Sequence, residues 1–293
     1  MFGKDDSYWY RLTQQLGHPS LLGTTVKHVD KLAEPLLADE KHSRILGHKA
    51  YLACTVAQEC VLGASISLAA SEEELREAYR DFKEEACKLD PAYQPETVNT
   101  DGCFATQAAW QALFPSVIVM LCFLHAFLNI RERAKRLSPV FSELAQKVWD
   151  AYPQSSAEAF IDKLTVLQLW AEHNHQQLSQ AVLDAIHKLC RNAYRFSPAY
   201  DHPQCQRTSN MLDRHLDALD RYLYSLRYFH GHLASAQLSV RAWALAHNFM
   251  PFCPRAQAAK HFISPVHRLN GFVYRDNWLE NLFVSASLRG RRC

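Results

Sequence analysis

The sequence predicts an α/β fold, in which a mixed sheet has helices on both faces and a largely helical half follows it. Three observations support this prediction. Three segments rich in β-forming residues follow one another early in the chain. A capped helix then leads to two further strand segments with a short helix between them. Beyond the last of these strands, apolar residues recur only at helical spacing.

The first three strands are predicted at Pro35 to His42, His48 to Ala57 and Val61 to Ala69. A short polar turn, Gln58-Glu59, separates the second strand from the third. Strands joined by such short turns pair antiparallel, so we expect a three-stranded antiparallel unit. Ahead of it, Ser7 to Leu16 has the spacing of a short helix.

A capping box follows the third strand. Ser71 and Glu74 have the Ser-x-x-Glu spacing in which each side chain satisfies a backbone donor at the start of a helix. This helix is expected to end near Leu89. Three elements come next, a strand, a helix and a strand buried on both faces: Glu96 to Asp101, Phe104 to Leu113 and Val117 to Leu124.

The remaining elements are predicted to be helices. Five have predicted bounds: His125 to Leu137, Pro139 to Ala151, Ala157 to His173, Gln177 to Tyr194 and His232 to Asn248. A sixth helix is predicted to begin near Asn210. The whole order is typical of a ribonuclease-H-like fold with an all-helical insertion. We therefore divide the chain into an N-terminal extension, a first core part, the insertion, and a second core part with the tail. These segments are 1–34, 35–137, 138–203 and 204–293.

The composition excludes several classes of protein. The formal net charge is only +2, so any binding of DNA has to come from local basic patches. The nine cysteines form no Cys-x-x-Cys pair, which indicates free thiols in a reducing compartment. The longest apolar run is far shorter than a membrane helix requires. We expect a cytoplasmic protein with no membrane partner.

Three acids occupy positions suited to metal chemistry. Asp39 lies in the first strand, Asp101 ends the fourth, and Asp213 lies in a later helix. Neighbouring strands and a helix packed on them can bring such acids together. Carboxylate oxygens are preferred ligands of Mg²⁺, and two ions about 4 Å apart can catalyse phosphoryl transfer. The predicted insertion lies between the second acid and the third.

Each acid also has a structural interpretation. Asp39 fits an exposed strand end, and Asp101-Gly102 is a common turn dipeptide. Asp213 recurs with Asp217 and Asp220 on one helical face, which is also typical of a solvated surface. Only the order of the three acids on one fold pattern favours a shared site.

Around these residues the chain resembles bacterial insertion-sequence transposases of the DDE type, in the Mutator-like and hAT-like style. The resemblance covers roughly residues 35 to 285. Its motifs are, in chain order, Thr97-Val-Asn-Thr-Asp101-Gly, Trp110-Gln-Ala-Leu-Phe-Pro115, Cys122-Phe-Leu-His125, Ile130-Arg-Glu-Arg133 and Thr208-Ser-Asn-Met-Leu-Asp213.

The resemblance implies a nucleoid-associated DNA transposase that cleaves and joins phosphodiester bonds at element ends and target DNA. It implies Asp39, Asp101 and Asp213 as catalytic ligands of two Mg²⁺ or Mn²⁺ ions, and a homodimer in the synaptic complex. The chain departs from the family in two respects. The third acid is Asp where many relatives have Glu, and only 38 residues precede Asp39. We therefore expect either a truncated chain or DNA recognition through the insertion and a partner.

Five further residues are candidates for DNA binding or for support of the site: Cys122, His125, Arg131, Arg133 and Arg214. Cys122 and His125 also have the spacing of a zinc-ligand pair, which His173 and His175 would have to complete. The arginines are equally consistent with solvated helix faces. Two other functions remain open, a nuclease on the same fold and a non-catalytic DNA-binding remnant.

Overall fold

The computed structural model describes residues 5–134, 138–202, 204–229 and 231–288. Its strands are Pro35–Ile45 (β1), His48–Ala57 (β2), Cys60–Ser67 (β3), Thr97–Thr100 (β4) and Ile118–Leu121 (β5). They form a five-stranded sheet in the order β3-β2-β1-β4-β5. The first three strands pair antiparallel, whereas β4 and β5 pair parallel, so the sheet is mixed. The predicted α/β class is confirmed.

The helices of the described residues are, in chain order, Asp6–Gly17 (α1), Leu21–Thr25 (α2), Glu72–Leu89 (α3), Phe104–Leu113 (α4), Phe123–Ala134 (α5), Ser138–Ala151 (α6), Ala157–His173 (α7), Gln180–Arg191 (α8), Ala193–Phe196 (α9), Pro198–Asp201 (α10), Asn210–Ser225 (α11), Leu233–Phe249 (α12), Pro254–Lys260 (α13), Pro265–Asn270 (α14) and Trp278–Leu288 (α15). A single 3₁₀ turn, Val29–Lys31, precedes β1 in this part of the chain.

The described residues pack into two compact units. The first unit comprises residues 5–96, 103–117, 211–229 and 231–288, and the second comprises 97–102, 118–134, 138–202 and 204–210. The antiparallel strands and the helices α1–α4 and α11–α15 belong to the first unit. The parallel strands and the helices α5–α10 belong to the second. The four segments predicted from the sequence stay predictions.

In the first unit, successive residues of β1 point to opposite faces of the sheet, as the pleat of a strand requires. Leu37 joins the buried cluster that contains Leu212 and Leu216 of α11. On the other face, the Glu40 carboxylate accepts hydrogen bonds from the hydroxyls of Tyr79 at 2.5 Å and Thr106 at 2.8 Å. Helices therefore cover both faces of β1.

Several helix bounds follow from local chemistry. The Ser71 hydroxyl accepts a hydrogen bond from the Glu74 backbone N–H at 3.4 Å, so the Ser71 half of the predicted capping box of α3 is confirmed. The helix ends at Leu89, as predicted. The predicted bounds of α4 and α7 are also confirmed.

The predicted strand Val117 to Leu124 is wrong at both ends and in its burial. The strand β5 ends at Leu121, and only Met120 within it is fully buried. Phe123 already belongs to α5, whose buried residues Phe123, Phe127, Ile130 and Ala134 recur at helical spacing. The apolar run therefore contains both a strand and the start of a helix, and hydrophobicity alone cannot separate them.

The predicted helix Gln177 to Tyr194 is also corrected, because the structure divides this segment into α8 and α9. The interruption lies at Asn192, whose φ of −93° and ψ of 14° leave the helical region. The second unit otherwise has the helical character that was predicted. Its helices share a core rich in aromatic residues, including Phe123, Phe127 and Phe160.

Two further findings concern the membrane-spanning potential and the cysteines of the described residues. Within the described residues, no helix combines the length and the apolarity that crossing a membrane demands. The cysteines in the described part of the chain are all free thiols.

Candidate metal site and the residues around it

Asp39 lies in the middle of β1, opposite Cys54 of β2. It is half-buried and has Leu37 and Lys41 as neighbours on the same face of the strand. The alternative that Asp39 lies at an exposed strand end is therefore wrong. The side chain points to the face of β1 that α11 covers.

Asp213 lies in the first turn of α11 and is also half-buried. This helix packs through the buried residues Leu212, Leu216, Leu219 and Leu223, and Asp213 lies beside that apolar stripe. A carboxylate oxygen of Asp39 lies within 4.8 Å of a carboxylate oxygen of Asp213. The first unit thus brings together two acids that are far apart in the sequence.

The acidic stripe predicted on α11 has members with different environments. Asp220 lies 3.4 Å from the ammonium of Lys41, an ion pair between the helix and β1. Asp217 is exposed, as a solvated surface residue would be. Only Asp213 has a carboxylate close to Asp39, so it is the member of the stripe that fits a metal site.

Asp101 follows the last residue of β4 in the second unit, at the position predicted, and is exposed. Gly102 comes next with a φ of +106°, a backbone conformation that side chains disfavour. The chain bends at Gly102. The Asp101 carboxylate lies at the carboxyl end of a parallel strand, where α/β folds commonly bind ligands.

Cys122, Ser209 and His125 form a hydrogen-bonded group at the end of the neighbouring strand. The Cys122 sulfur lies 3.3 Å from the Ser209 hydroxyl, which lies 3.3 Å from His125 Nδ1. The backbone N–H of Ser209 also donates to the sulfur at 3.2 Å. Burial alone would raise the pKa of Cys122, but hydrogen bonds with His125 and Ser209 lower it below the usual value. The group fixes the orientation of the imidazole.

A cleft of about 330 Å³ opens in the second unit beside these residues. Asp101, Cys122 and His125 line it together with Lys188 and Arg195 from the helical region. The predicted residues Asp101, Cys122 and His125 are thus brought together around one cavity. Lys188 and Arg195 thus bring positive charge to a cavity that also contains the Asp101 carboxylate.

A histidine pair joins the helix that carries Asp213, α11, to α12: His215 is buried on α11 and His247 is half-buried on α12. His215 Nδ1 lies 2.7 Å from His247 Nε2, so one ring donates to the other. The indole of Trp243 stacks on His247 with a centroid distance of 5.0 Å. Burial, helped by the neighbouring His247, lowers the pKa of His215 to about 3, and burial also lowers the pKa of His247. Both rings are therefore neutral near pH 7.

We expect this pair to make the protein less stable in acid. The unfolded chain binds a proton at His215 below about pH 6.5, whereas the folded protein resists protonation until about pH 3. The contribution of His215 to the free energy of unfolding is therefore complete above pH 6.5. Below that pH the contribution falls by about 1.4 kcal/mol per pH unit. Replacing His215 with Gln should flatten the dependence of the unfolding free energy on pH between 6 and 4.

Urea unfolding at several pH values measures this difference. His48→Gln provides the control, because His48 is exposed. Equal slopes for the wild-type protein and His215→Gln would contradict the expectation.

The predicted basic residues have different environments. Arg131 and Arg133 are exposed on α5, where Arg133 donates to the backbone carbonyl of Asn129 at 3.0 Å. Arg214 is exposed on α11 and pairs with Glu59 at 3.3 Å. The adjacent basic residues Lys135 and Arg136 lie outside the described residues.

Arg207 is held within the second unit and is not a surface cation. Its guanidinium lies 3.9 Å from the ring centroid of Tyr200 and donates to the backbone carbonyl of Tyr152 at 2.8 Å. Phosphate binding by Arg207 would compete with these contacts.

The zinc alternative finds no support in the described residues. No group of three or more potential ligands there contains Cys122, and both His173 and His175 are exposed.

Sequence reasoning missed the role of Glu40, whose carboxylate is bound by Tyr79 and Thr106. The alternation of β1 was the available signal, because it places Glu40 on the opposite face from Asp39.

Comparison with protein-family models and with curated proteins finds no match to this chain. The geometry of the site and the resemblance of the motifs therefore carry the functional interpretation.

Proposed function

We propose that this protein is a DNA transposase of the DDE type, with Asp39, Asp101 and Asp213 as its catalytic acids. The proximity of Asp39 and Asp213 carries this proposal, because their carboxylates lie within 4.8 Å although they come from a strand and a distant helix. Two acids so close together repel each other unless cations or donors offset their charge. The Glu40 backbone N–H donates to Asp39 Oδ1 at 2.7 Å, and a divalent metal ion between the two acids would offset more of their charge.

The donor set fits the proposed cofactor. Carboxylate oxygens are hard ligands that suit Mg²⁺ or Mn²⁺ better than softer metals. When bound, two such ions would activate the attacking oxygen and neutralise charge on the leaving oxygen. Asp39 and Asp213 would hold the ions, and Asp101 would supply a further carboxylate.

His125 has a distinct part in the proposal. Its Nδ1 faces the Ser209 hydroxyl at 3.3 Å, which orients the ring. An imidazole fixed in this way can bind a metal or a phosphate oxygen through Nε2. We therefore propose that His125 supports metal or phosphate binding beside Asp101, with which it lines one cavity.

The fold supports the same proposal. Three antiparallel strands followed by two parallel strands, in the order β3-β2-β1-β4-β5, are compatible with a ribonuclease-H-like core. Within this proposal α6–α10 form the insertion, and Lys188 and Arg195 of the second unit lie near phosphates of bound DNA. DNA is then the partner, and a homodimer would join two element ends.

The test is cleavage of a labelled duplex that carries the inverted repeats flanking the coding region. We expect Mn²⁺-dependent strand cleavage, followed by joining of the 3′ end to a target plasmid. Asp101→Asn should lower the cleavage rate by about 10³-fold or more, since the loss of a metal ligand costs several kcal/mol. Asp201→Asn, at an exposed residue, is the matched control.

Three outcomes would contradict the proposal in different ways. Unchanged cleavage in Asp101→Asn would exclude the assigned site. Cleavage without joining would indicate a nuclease, and DNA binding without any turnover would indicate a non-catalytic remnant.

A further inference from the structure

Three basic side chains converge on one carboxylate at the tip of the β2–β3 hairpin. Glu59 Oε1 lies 2.8 Å from Lys260, 3.1 Å from Arg268 and 3.3 Å from Arg214. These cations come from α13, α14 and α11, and all four residues belong to the first unit. We call Glu59, Arg214, Lys260 and Arg268 the basic cluster.

The basic cluster has an excess of positive charge that faces outward. The Glu59 side chain is only 12% exposed, whereas those of Arg214 and Arg268 are 63% and 42% exposed. Burial alone would raise the pKa of Glu59, but Lys260, Arg214 and Arg268 together lower it. Glu59 is therefore ionised near neutral pH, and it offsets one of the three positive charges.

The arginines keep donors available for a ligand. A guanidinium has five N–H groups, and Arg214 and Arg268 each direct a single nitrogen at Glu59. Glu59 thus holds the guanidinium groups in place without occupying their full bonding capacity. Prior ordering of side chains reduces the entropy lost when an anion binds.

The backbone at this turn indicates that the Glu59 side chain is needed. Gln58 and Glu59 have φ values of 49° and 71°, in the left-handed region where two-residue hairpin turns favour Asn and Gly. Such conformations are unfavourable for residues with larger side chains. The Glu59 N–H also donates to the Met211 sulfur at 3.0 Å, which ties the turn to the start of α11.

We propose that the basic cluster binds the phosphodiester backbone of duplex DNA through Arg214, Lys260 and Arg268, with Glu59 as their positioning residue. This inference rests on the proposed function, because Arg214 directly follows Asp213 in α11 and DNA at the acids would pass close to it. Contacts of this kind fix the register of DNA and read no sequence.

The test measures binding of a 30-base-pair duplex at several salt concentrations without divalent metal, so that catalysis plays no part. The double variant Lys260→Gln with Arg268→Gln should weaken binding about tenfold and make the salt dependence shallower by about two units of slope. The matched control is Arg80→Gln, which removes an exposed arginine paired with Glu77 on α3. Wild-type affinity and slope in the double variant would overturn the proposal.

Glu59→Gln provides an independent measurement if the double variant fails to fold. It removes the charge that orders the three cations and retains the cations themselves, so DNA binding should weaken several-fold with little change in the slope of its salt dependence. Unchanged or tighter binding by folded Glu59→Gln would overturn the proposal. DNA cleavage is measured in a separate assay from DNA binding. A result against the proposed catalytic function is therefore distinguished from a result against DNA binding by the basic cluster.

Discussion

Asp213→Asn is expected to reduce Mn²⁺-dependent DNA cleavage by about 10³-fold or more. Asn retains the shape of Asp but lacks its negative charge, so the oxygen near Asp39 binds a divalent cation much more weakly. The loss of several kcal/mol of metal-dependent stabilisation corresponds to this change in rate. Cleavage of end-labelled duplex DNA at saturating Mn²⁺ measures it.

Asp217→Asn is the matched control for this variant. Asp217 lies on the same helix but is exposed, so its replacement should leave cleavage close to the wild-type rate. Metal binding gives a second readout, because a ligand that binds only the folded state raises its stability. Mn²⁺ should raise the melting temperature of Asp217→Asn and have little effect on Asp213→Asn. An equal rise in both variants would contradict the assigned ligand.

Glu85→Ala is expected to lower the free energy of unfolding by about 3–5 kcal/mol, the cost of breaking a buried ion pair. Glu85 pairs with Arg241, and their side chains are only 12% and 13% exposed. Its second oxygen accepts hydrogen bonds from the Ser20 hydroxyl and the Leu22 N–H, both at 2.8 Å. Removal of the carboxylate leaves the Ser20 and Leu22 donors without this acceptor and the charge of Arg241 unpaired, although the backbone carbonyls of Gly17 and Pro19 still accept from its guanidinium. Urea denaturation measures the loss.

Glu77→Ala is the control for this prediction, because Glu77 lies on the same helix and pairs with Arg80 at the surface. Exposed pairs contribute about 1 kcal/mol or less, so this variant should change stability only slightly. The double variant Glu85→Leu with Arg241→Met should recover much of the lost stability, since it leaves no buried charge. A loss below 1 kcal/mol in Glu85→Ala would contradict the buried pair.

Much of the secondary structure was predictable because local signals agree with the fold. The cap at Ser71, the hairpin turn at Gln58-Glu59 and the spacing of α7 each depend on neighbouring residues only. The continuous apolar run at Val117 to Leu124 was not divided correctly, because strand and helix residues there are equally hydrophobic. The helices α13 and α14 were missed, since they have only seven and six residues and lack long apolar stripes.

The candidate site was predictable only in part. The order of Asp39, Asp101 and Asp213 along the chain indicated a shared site, and the structure places Asp39 close to Asp213. Contacts between distant residues gave no sequence signal. The convergence of Lys260, Arg268 and Arg214 on Glu59 joins four elements, and no periodicity predicts which side chains meet there. The His215–His247 pair was missed for the same reason.

Anomalous diffraction from crystals soaked in Mn²⁺ tests the central claim most directly. The expected result is two Mn²⁺ peaks about 4 Å apart. Oxygens of Asp39, Asp101 and Asp213 should lie about 2–2.5 Å from them. If ordered crystals at saturating Mn²⁺ contain no peak between Asp39 and Asp213, these acids do not form a catalytic metal site.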